Sequence, residues 1–381
     1  MSPATEPLRL IQVGAGLMGR TWLDVIGQST DVRLVGLADL NLAAAQRAAA
    51  GSGFADVEMT TSLTELLDRV EADAVINVTV PEAHAEVSTT ALLNGLAVLC
   101  EKPVAHTTSA ALSMAAAAEV GGRLLMVSQS RRYWRNLDAL RGQVAQLGRL
   151  GVVECSFFKA PHFGGFREQM PFPLLVDMAI HQFDLARDLI GSEPVWIACE
   201  SFNPAWSWYA GDAAADVHAE FADRTRFVFA GSWCSPGLET SWNGSWRISG
   251  SDGTAVWDGD HEPVAQTADG EPIAAAPGTG PEEIAGSLAE FVAALRDASV
   301  PSSEVHSNVM SLAMVECAVR SAQTQQRVVL ADFLDEAYVQ ALEVEERPEL
   351  RAALASWPPV REVIGNPGRA VPAPQLKGDL R

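Results

Sequence analysis

Six residues near the N-terminus constrain this chain most. Gly14-Ala15-Gly16-Leu17-Met18-Gly19 follows the apolar run LRLIQV directly and opens a helical stretch, TWLDVIGQ. A Cβ at the first two glycines would obstruct a tight turn, or a pyrophosphate seated on the N–H groups of the helix N-terminus. Twenty residues after Gly19, Asp39 ends the next apolar run, VRLVGLAD. A carboxylate there can accept both ribose hydroxyls and repels a 2′-phosphate, so the spacing points to NAD rather than NADP.

The stretch from Leu8 to about Ser130 continues that alternation. LRLIQVG, VRLVGLAD, DAVINVTV, LAVLCEKP and RLLMVSQS read as strands, and LAAAQRAAA, SLTELLDRV, EAHAEVSTTALLNG and TSAALSMAAAAEV read as helices between them. Near-continuous apolar strands suit a parallel sheet covered on both faces. We therefore expect an α/β fold, with a doubly wound Rossmann domain over 1–135. An α+β domain over 136–342 follows, with an open, largely antiparallel sheet. Its first strand is VVECSFFKA, and the helix PLLVDMAIHQFDLARDLIG interrupts the series. Two late amphipathic helices are expected to pack back on the first domain. The Pro-rich stretch 343–381 reads as an extended C-terminal arm.

Charge and cysteine usage exclude several classes. Lys and Arg number 27 against 48 Asp and Glu, a formal net charge of −21 that would repel nucleic acid or an anionic membrane. No window reaches the roughly 18 apolar residues of a membrane span, and MSPATEPLRL carries no apolar signal core, so a cytoplasmic location is expected. Five scattered cysteines without a C-x-x-C pair read as buried, reduced thiols, with no metal site expected.

Three further groups bear chemistry. Thr79, Pro81 and His84 lie just past the carboxyl end of DAVINVTV, where open α/β sheets bind ligands. Cys100-Glu101-Lys102-Pro103 ends LAVLCEKP at the same edge, with Lys102 able to point into the crevice. Asp177 and His181, spaced i,i+4, share one helix face, and Asp184 continues the stripe. That face reads as catalytic, as a solvated polar surface or as a metal pair.

GAGLMG, CEKPVA and DMAIHQFD, in this order, resemble the glucose-fructose oxidoreductase and inositol dehydrogenase family, Gfo/Idh/MocA, from about Leu8 to Leu330. SQSRRYW, which holds Arg132 and Tyr133, is similar to the family's segment after the sixth strand, with Ser130 in place of its usual asparagine. PFPLLVD stands where the family commonly has glycines before its aspartate. The resemblance implies a homodimer or homotetramer built through the second domain's sheet. It also implies a polyol or sugar substrate between the domains, with Lys102, Asp177 and His181 around the reacting hydroxyl. Glu101 joins Gly14, Gly16, Leu17, Met18, Gly19, Asp39, Thr79, Pro81, His84 and Lys102 as cofactor-binding candidates.

Oxidising a secondary alcohol requires a proton acceptor and a positive charge at one oxygen. His181 suits the base and Lys102 the stabilising charge, while the exchange of those roles stays open. His162 and Arg167, in the glycine-bearing loop KAPHFGGFREQ, are candidates for hydroxyl recognition, beside Arg132 and Tyr133. Seven of the ten tryptophans fall in the second domain; most are expected to pack the core, and some to stack on a sugar ring. Two other readings compete: an NAD-holding hydrolase or lyase working through a transient keto-sugar, and a non-catalytic NAD sensor.

Overall fold

The computed structural model describes residues 6–372. The chain forms two units. The first takes the residues up to 130, then 284–309, and those from 337 onward; the second takes 131–283 and 310–336.

The first unit is built on β1 (Leu8–Val13), α1 (Leu17–Gln28), β2 (Val32–Ala38), α2 (Leu42–Gly51) and β3 (Glu58–Thr60). It continues with α3 (Leu63–Leu67), β4 (Ala74–Asn77), α4 (Pro81–Leu93), β5 (Ala97–Glu101), α5 (Thr108–Gly121) and β6 (Leu125–Ser128). The strands run parallel in the order β3-β2-β1-β4-β5-β6. The order reverses between β1 and β4, which opens a crevice at their carboxyl ends. β4, β5 and β6 are buried along their whole length, as the uninterrupted apolar runs require. β3 went unread in the sequence because three residues are too few to show a period.

The second unit begins with α6 (Arg135–Val144) and β7 (Leu150–Phe158). Then come α7 (Ile180–Ile190), β8 (Pro194–Phe202), β9 (Ala214–Phe221), β10 (Arg226–Ser232), β11 (Ser245–Gly250), β12 (Gly253–Trp257) and β13 (Val264–Thr267). With β14 (Val328–Val329) they make an eight-stranded sheet, β13-β12-β11-β7-β10-β9-β8-β14. Its pairs are antiparallel except β10 with β7. On the inner face Phe183 of α7 meets Phe227 and Phe229 edge-on. Val152, Val256, Val264 and Phe202 stay 39–60% exposed on the outer face.

The remaining helices are α8 (Glu283–Asp297), α9 (Val305–Thr324), α10 (Leu330–Val344), α11 (Pro348–Ala355) and α12 (Val360–Val363). The expected extended arm is thus corrected up to Pro372. Pro348 opens α11 and Pro359 precedes α12 as its N-cap, while Leu350, Leu354, Val360 and Val363 are buried. The part of that arm over 373–381 lies outside the described residues. α11 packs on α5, where Trp357 Nε1 donates to Glu119 (2.7 Å). Glu119 and the buried Glu304 flank His306, at 3.3 and 2.8 Å. Burial opposes the charged imidazole, but hydrogen bonds to the two carboxylates outweigh it and lift His306 to about 9. Among the described residues no helix is long and apolar enough to cross a membrane.

Candidate active site

The turn after β1 is shaped by its glycines. Gly14 has φ +101°, and a Cβ there would collide with the Val78 carbonyl; one at Gly19 would collide with the Gly14 carbonyl. A Cβ at Gly16 would instead enter open space. Gly16 is the N-cap of α1, with no side-chain cap and no acidic residue in the first turn, and Leu17 and Met18 are exposed. These features leave room and N–H donors for a pyrophosphate. Asp39 sits beside the turn, accepting from Ala15 N and Asn41 N, both at 2.7 Å. The residues present therefore fit a dinucleotide.

At the end of β4, buried Asn77 accepts from Thr79 N (3.2 Å) and Thr79 Oγ1 (2.7 Å), which fixes the turn into α4. Pro81 occupies the first position of α4, where its missing N–H costs nothing. His84 does not face outward as a ligand would. It is 1% exposed, with Nδ1 2.7 Å from the Pro103 carbonyl and Nε2 3.1 Å from that of Thr79. Burial pushes its pKa below the usual imidazole range.

β5 ends in buried Glu101, which accepts from Trp22 Nε1 (2.9 Å) and from Lys102 N (3.1 Å). Burial raises its pKa, with the Trp22 hydrogen bond opposing. The Lys102–Pro103 peptide bond is cis, and Lys102 is half-buried at the carboxyl edge of the sheet. Trp22 and Asn77 carried no flag in the sequence. The available signal was chemical: an Asn inside the apolar AVIN and a Glu closing AVLCE must each find buried partners.

In the second unit the helix carrying Asp177 is not regular. A π-helical turn, Leu174–Ala179, holds Asp177 and leads into α7, which holds His181. Such turns recur where a helix presents functional groups. Arg167 Nε donates to Asp177 at 2.8 Å, and His181 is 6% exposed. Asp184, by contrast, belongs to the core. It is 1% exposed and accepts from Arg132 at 2.6 and 2.9 Å and from Ser311 at 2.7 Å. Burial would raise its pKa, but Arg132 outweighs burial and holds it below the carboxylate range. Arg132 is 6% exposed, and its guanidinium ties the start of the unit to Asp184 and Asp188 of α7. Tyr133 lies next to it, its carbonyl accepting from Glu283 N.

The loop after β7 turns through Gly164 and Gly165, both near φ +65°, into a 3-10 turn over Gly165–Gln169. His162 stacks on Trp208 with centroids 3.8 Å apart, and Phe163 leans on Trp233. The Arg167 guanidinium lies over Phe163 and Phe166. Of the eight tryptophans in this unit, Trp233, Trp246 and Trp257 are buried, while Trp206 is 67% exposed. All five cysteines are buried free thiols. Among the described residues no group of three or more His, Cys, Asp or Glu could hold a metal.

Two family profiles cover more than half of this chain. One, described as "Oxidoreductase family, NAD-binding Rossmann fold", matches residues 8–129, and the "GFO/IDH/MocA C-terminal domain" matches 143–256. The chain belongs to the Gfo/Idh/MocA oxidoreductase family. Among relatives, an uncharacterized protein, y4oX, of Sinorhizobium fredii is 27% identical over 351 residues, 86% of this chain and 96% of that one. "Inositol 2-dehydrogenase 4" of Saccharopolyspora erythraea is 33% identical over 194 residues, only 50% of this chain and 56% of that enzyme. An Agrobacterium radiobacter oxidoreductase solved with NAD+, L-tartaric acid and magnesium superimposes with TM-score 0.78 at 17% identity, over 86% of this chain and 99% of that one, a likeness of fold. The nucleotide-facing residues of the first unit thus lie in an NAD-binding domain.

Proposed function

We propose that this oxidoreductase is an NAD-dependent dehydrogenase oxidising a ring hydroxyl of a sugar, glycoside or cyclitol to a ketone, or running the reverse reduction. The observation that carries the reading is Lys102, which leaves the carboxyl edge of the NAD-binding sheet on backbone tied to Glu101. Relatives named inositol 2-dehydrogenase agree with this substrate class. Bound NAD supplies the hydride acceptor. His181 takes the hydroxyl proton, the Lys102 ammonium stabilises the developing negative oxygen, and Asp177 orients the substrate or the imidazole. His162, Arg167 and Tyr133 read the remaining hydroxyls. Gly14, Gly16, Leu17, Met18 and Gly19 receive the pyrophosphate, Thr79 and Pro81 shape the nicotinamide side, and Asp39 selects NAD over NADP.

The copies of the chain join through the outer face of the eight-stranded sheet, where Val152, Val256, Val264 and Phe202 are exposed. Buried reduced cysteines suit the cytoplasm as the site of action. A panel of cyclitols, aldoses and glycosides with NAD tests the reaction: NADH should accumulate with at least one. Lys102→Met should lower kcat by roughly 100-fold or more while NAD affinity stays within a few fold. Silence across the panel refutes the dehydrogenase, and aglycone release without net NADH would assign the keto-sugar hydrolase or lyase instead.

A further inference from the structure

The backbone at Lys102 is held from both sides. On its N-terminal side, the Glu101 carboxylate accepts the Lys102 amide (3.1 Å) with one oxygen and the Trp22 indole N–H (2.9 Å) with the other. Trp22 is fully buried on α1, the helix that opens with the glycine turn. On the C-terminal side, the Pro103 carbonyl faces His84 Nδ1 at 2.7 Å. The other ring nitrogen of His84 faces the Thr79 carbonyl at 3.1 Å. Both ring nitrogens therefore point at backbone carbonyls, leaving neither edge for a ligand. A neutral imidazole has one N–H for two acceptors, so it donates to one carbonyl, the nearer being that of Pro103, and is packed against the other. Burial pushes the pKa of the ring down, with the two carbonyls opposing.

We propose that His84 and the Trp22–Glu101 pair are positioning residues, which lock the Lys102 backbone to the glycine-turn helix on one side and to the Thr79 turn on the other. The inference deepens the dehydrogenase reading and rests on the role given there to Lys102. Its physical basis is that a misplacement of about 1 Å at a catalytic group can cost roughly 100-fold in rate. The lock also joins the elements around the dinucleotide, so the lysine stays registered against whatever the glycine turn holds.

The test uses the full chain carrying Trp22→Phe, His84→Phe or His84→Gln. The phenylalanines keep most of the ring volume and delete the N–H, while glutamine restores one donor. Amide exchange of the 102–106 peptide is read by mass spectrometry, together with NAD affinity, kcat and KM on a polyol that the unsubstituted enzyme oxidises. Both phenylalanine variants should exchange about tenfold faster at 102–106, with peptides from β9 unchanged. They should lose about tenfold in kcat, with KM and NAD affinity within about threefold. His84→Gln should recover part of both losses. Exchange and kcat within twofold of the unsubstituted enzyme in both phenylalanine variants would overturn the inference. If one variant fails to fold, the other two still decide it. The exchange readout needs no turnover, so a Lys102→Met enzyme that kept full activity would refute the role of Lys102 without deciding the lock.

Discussion

The nucleotide end of the first unit and the loop around Asp177 in the second are built on opposite plans. The first is made of backbone: the glycine turn, the Thr79 turn and the Lys102 turn are fixed by main-chain groups and by buried side chains bonded to them. The second is made of side chains: stacked rings, a guanidinium over two phenylalanines, and ion pairs. A ligand common to many enzymes is met by the part that side-chain change disturbs least. On the proposed reading, the variable partner would be met by a surface that single substitutions can remodel.

Four measurements would break or sharpen that contrast. The largest effect is expected at Asp184→Ala, which strands buried Arg132 and should cost about 3–5 kcal/mol of stability in denaturant melts. A loss under about 1 kcal/mol would mean that the second unit does not depend on its buried ion pairs. Gly14→Ala forces a side chain onto the Val78 carbonyl at φ +101° and should weaken NAD binding about 100-fold by calorimetry. Unchanged affinity would show that the glycine turn is not the nucleotide seat.

Third, His306 is lifted to about 9, so its contribution, up to about 3 kcal/mol, is complete below the unfolded value near 6.5. It is lost as pH rises through 9. Thermal melts between pH 6 and about 10 should show this loss, and His306→Gln should flatten the slope. A wild-type slope persisting in His306→Gln would reject the assignment. The smallest effect belongs to Arg167→Ala. Because the pair with Asp177 is partly exposed, stability should change by less than about 1 kcal/mol. KM for the polyol should rise about tenfold at unchanged NAD affinity. An unaltered KM would remove Arg167 from substrate recognition.

The same contrast governs what could be read from residues alone. The parallel sheet, the glycine turn, Asp39 and the lysine at the β5 tip were legible because backbone geometry leaves marks in residue type and spacing. His84 was legible as present but not in its role, since the sequence does not reveal that two carbonyls enclose its ring. Arg132 was legible as a candidate but not as the buried partner of Asp184, a pairing across 52 positions that no local pattern reports. The π-helical turn at Asp177 was hidden because i,i+4 spacing reads the same in either helix. The C-terminal helices were obscured by prolines that serve as helix starts.

The Rossmann sheet shares its unit with chain that follows it by more than 150 residues. During synthesis β1 to β6 leave the ribosome long before α11 does, so the flank of α5 that α11 covers must wait for its lid. A fragment cut at residue 130 would leave that helix bare, and would also lose Ser303, whose hydroxyl and carbonyl hold Val127 of β6. Excising the nucleotide domain as a stand-alone module should therefore yield a sticky, poorly soluble product. Supplying the late segments in trans, or splicing them directly after residue 130, is the route to an isolable one.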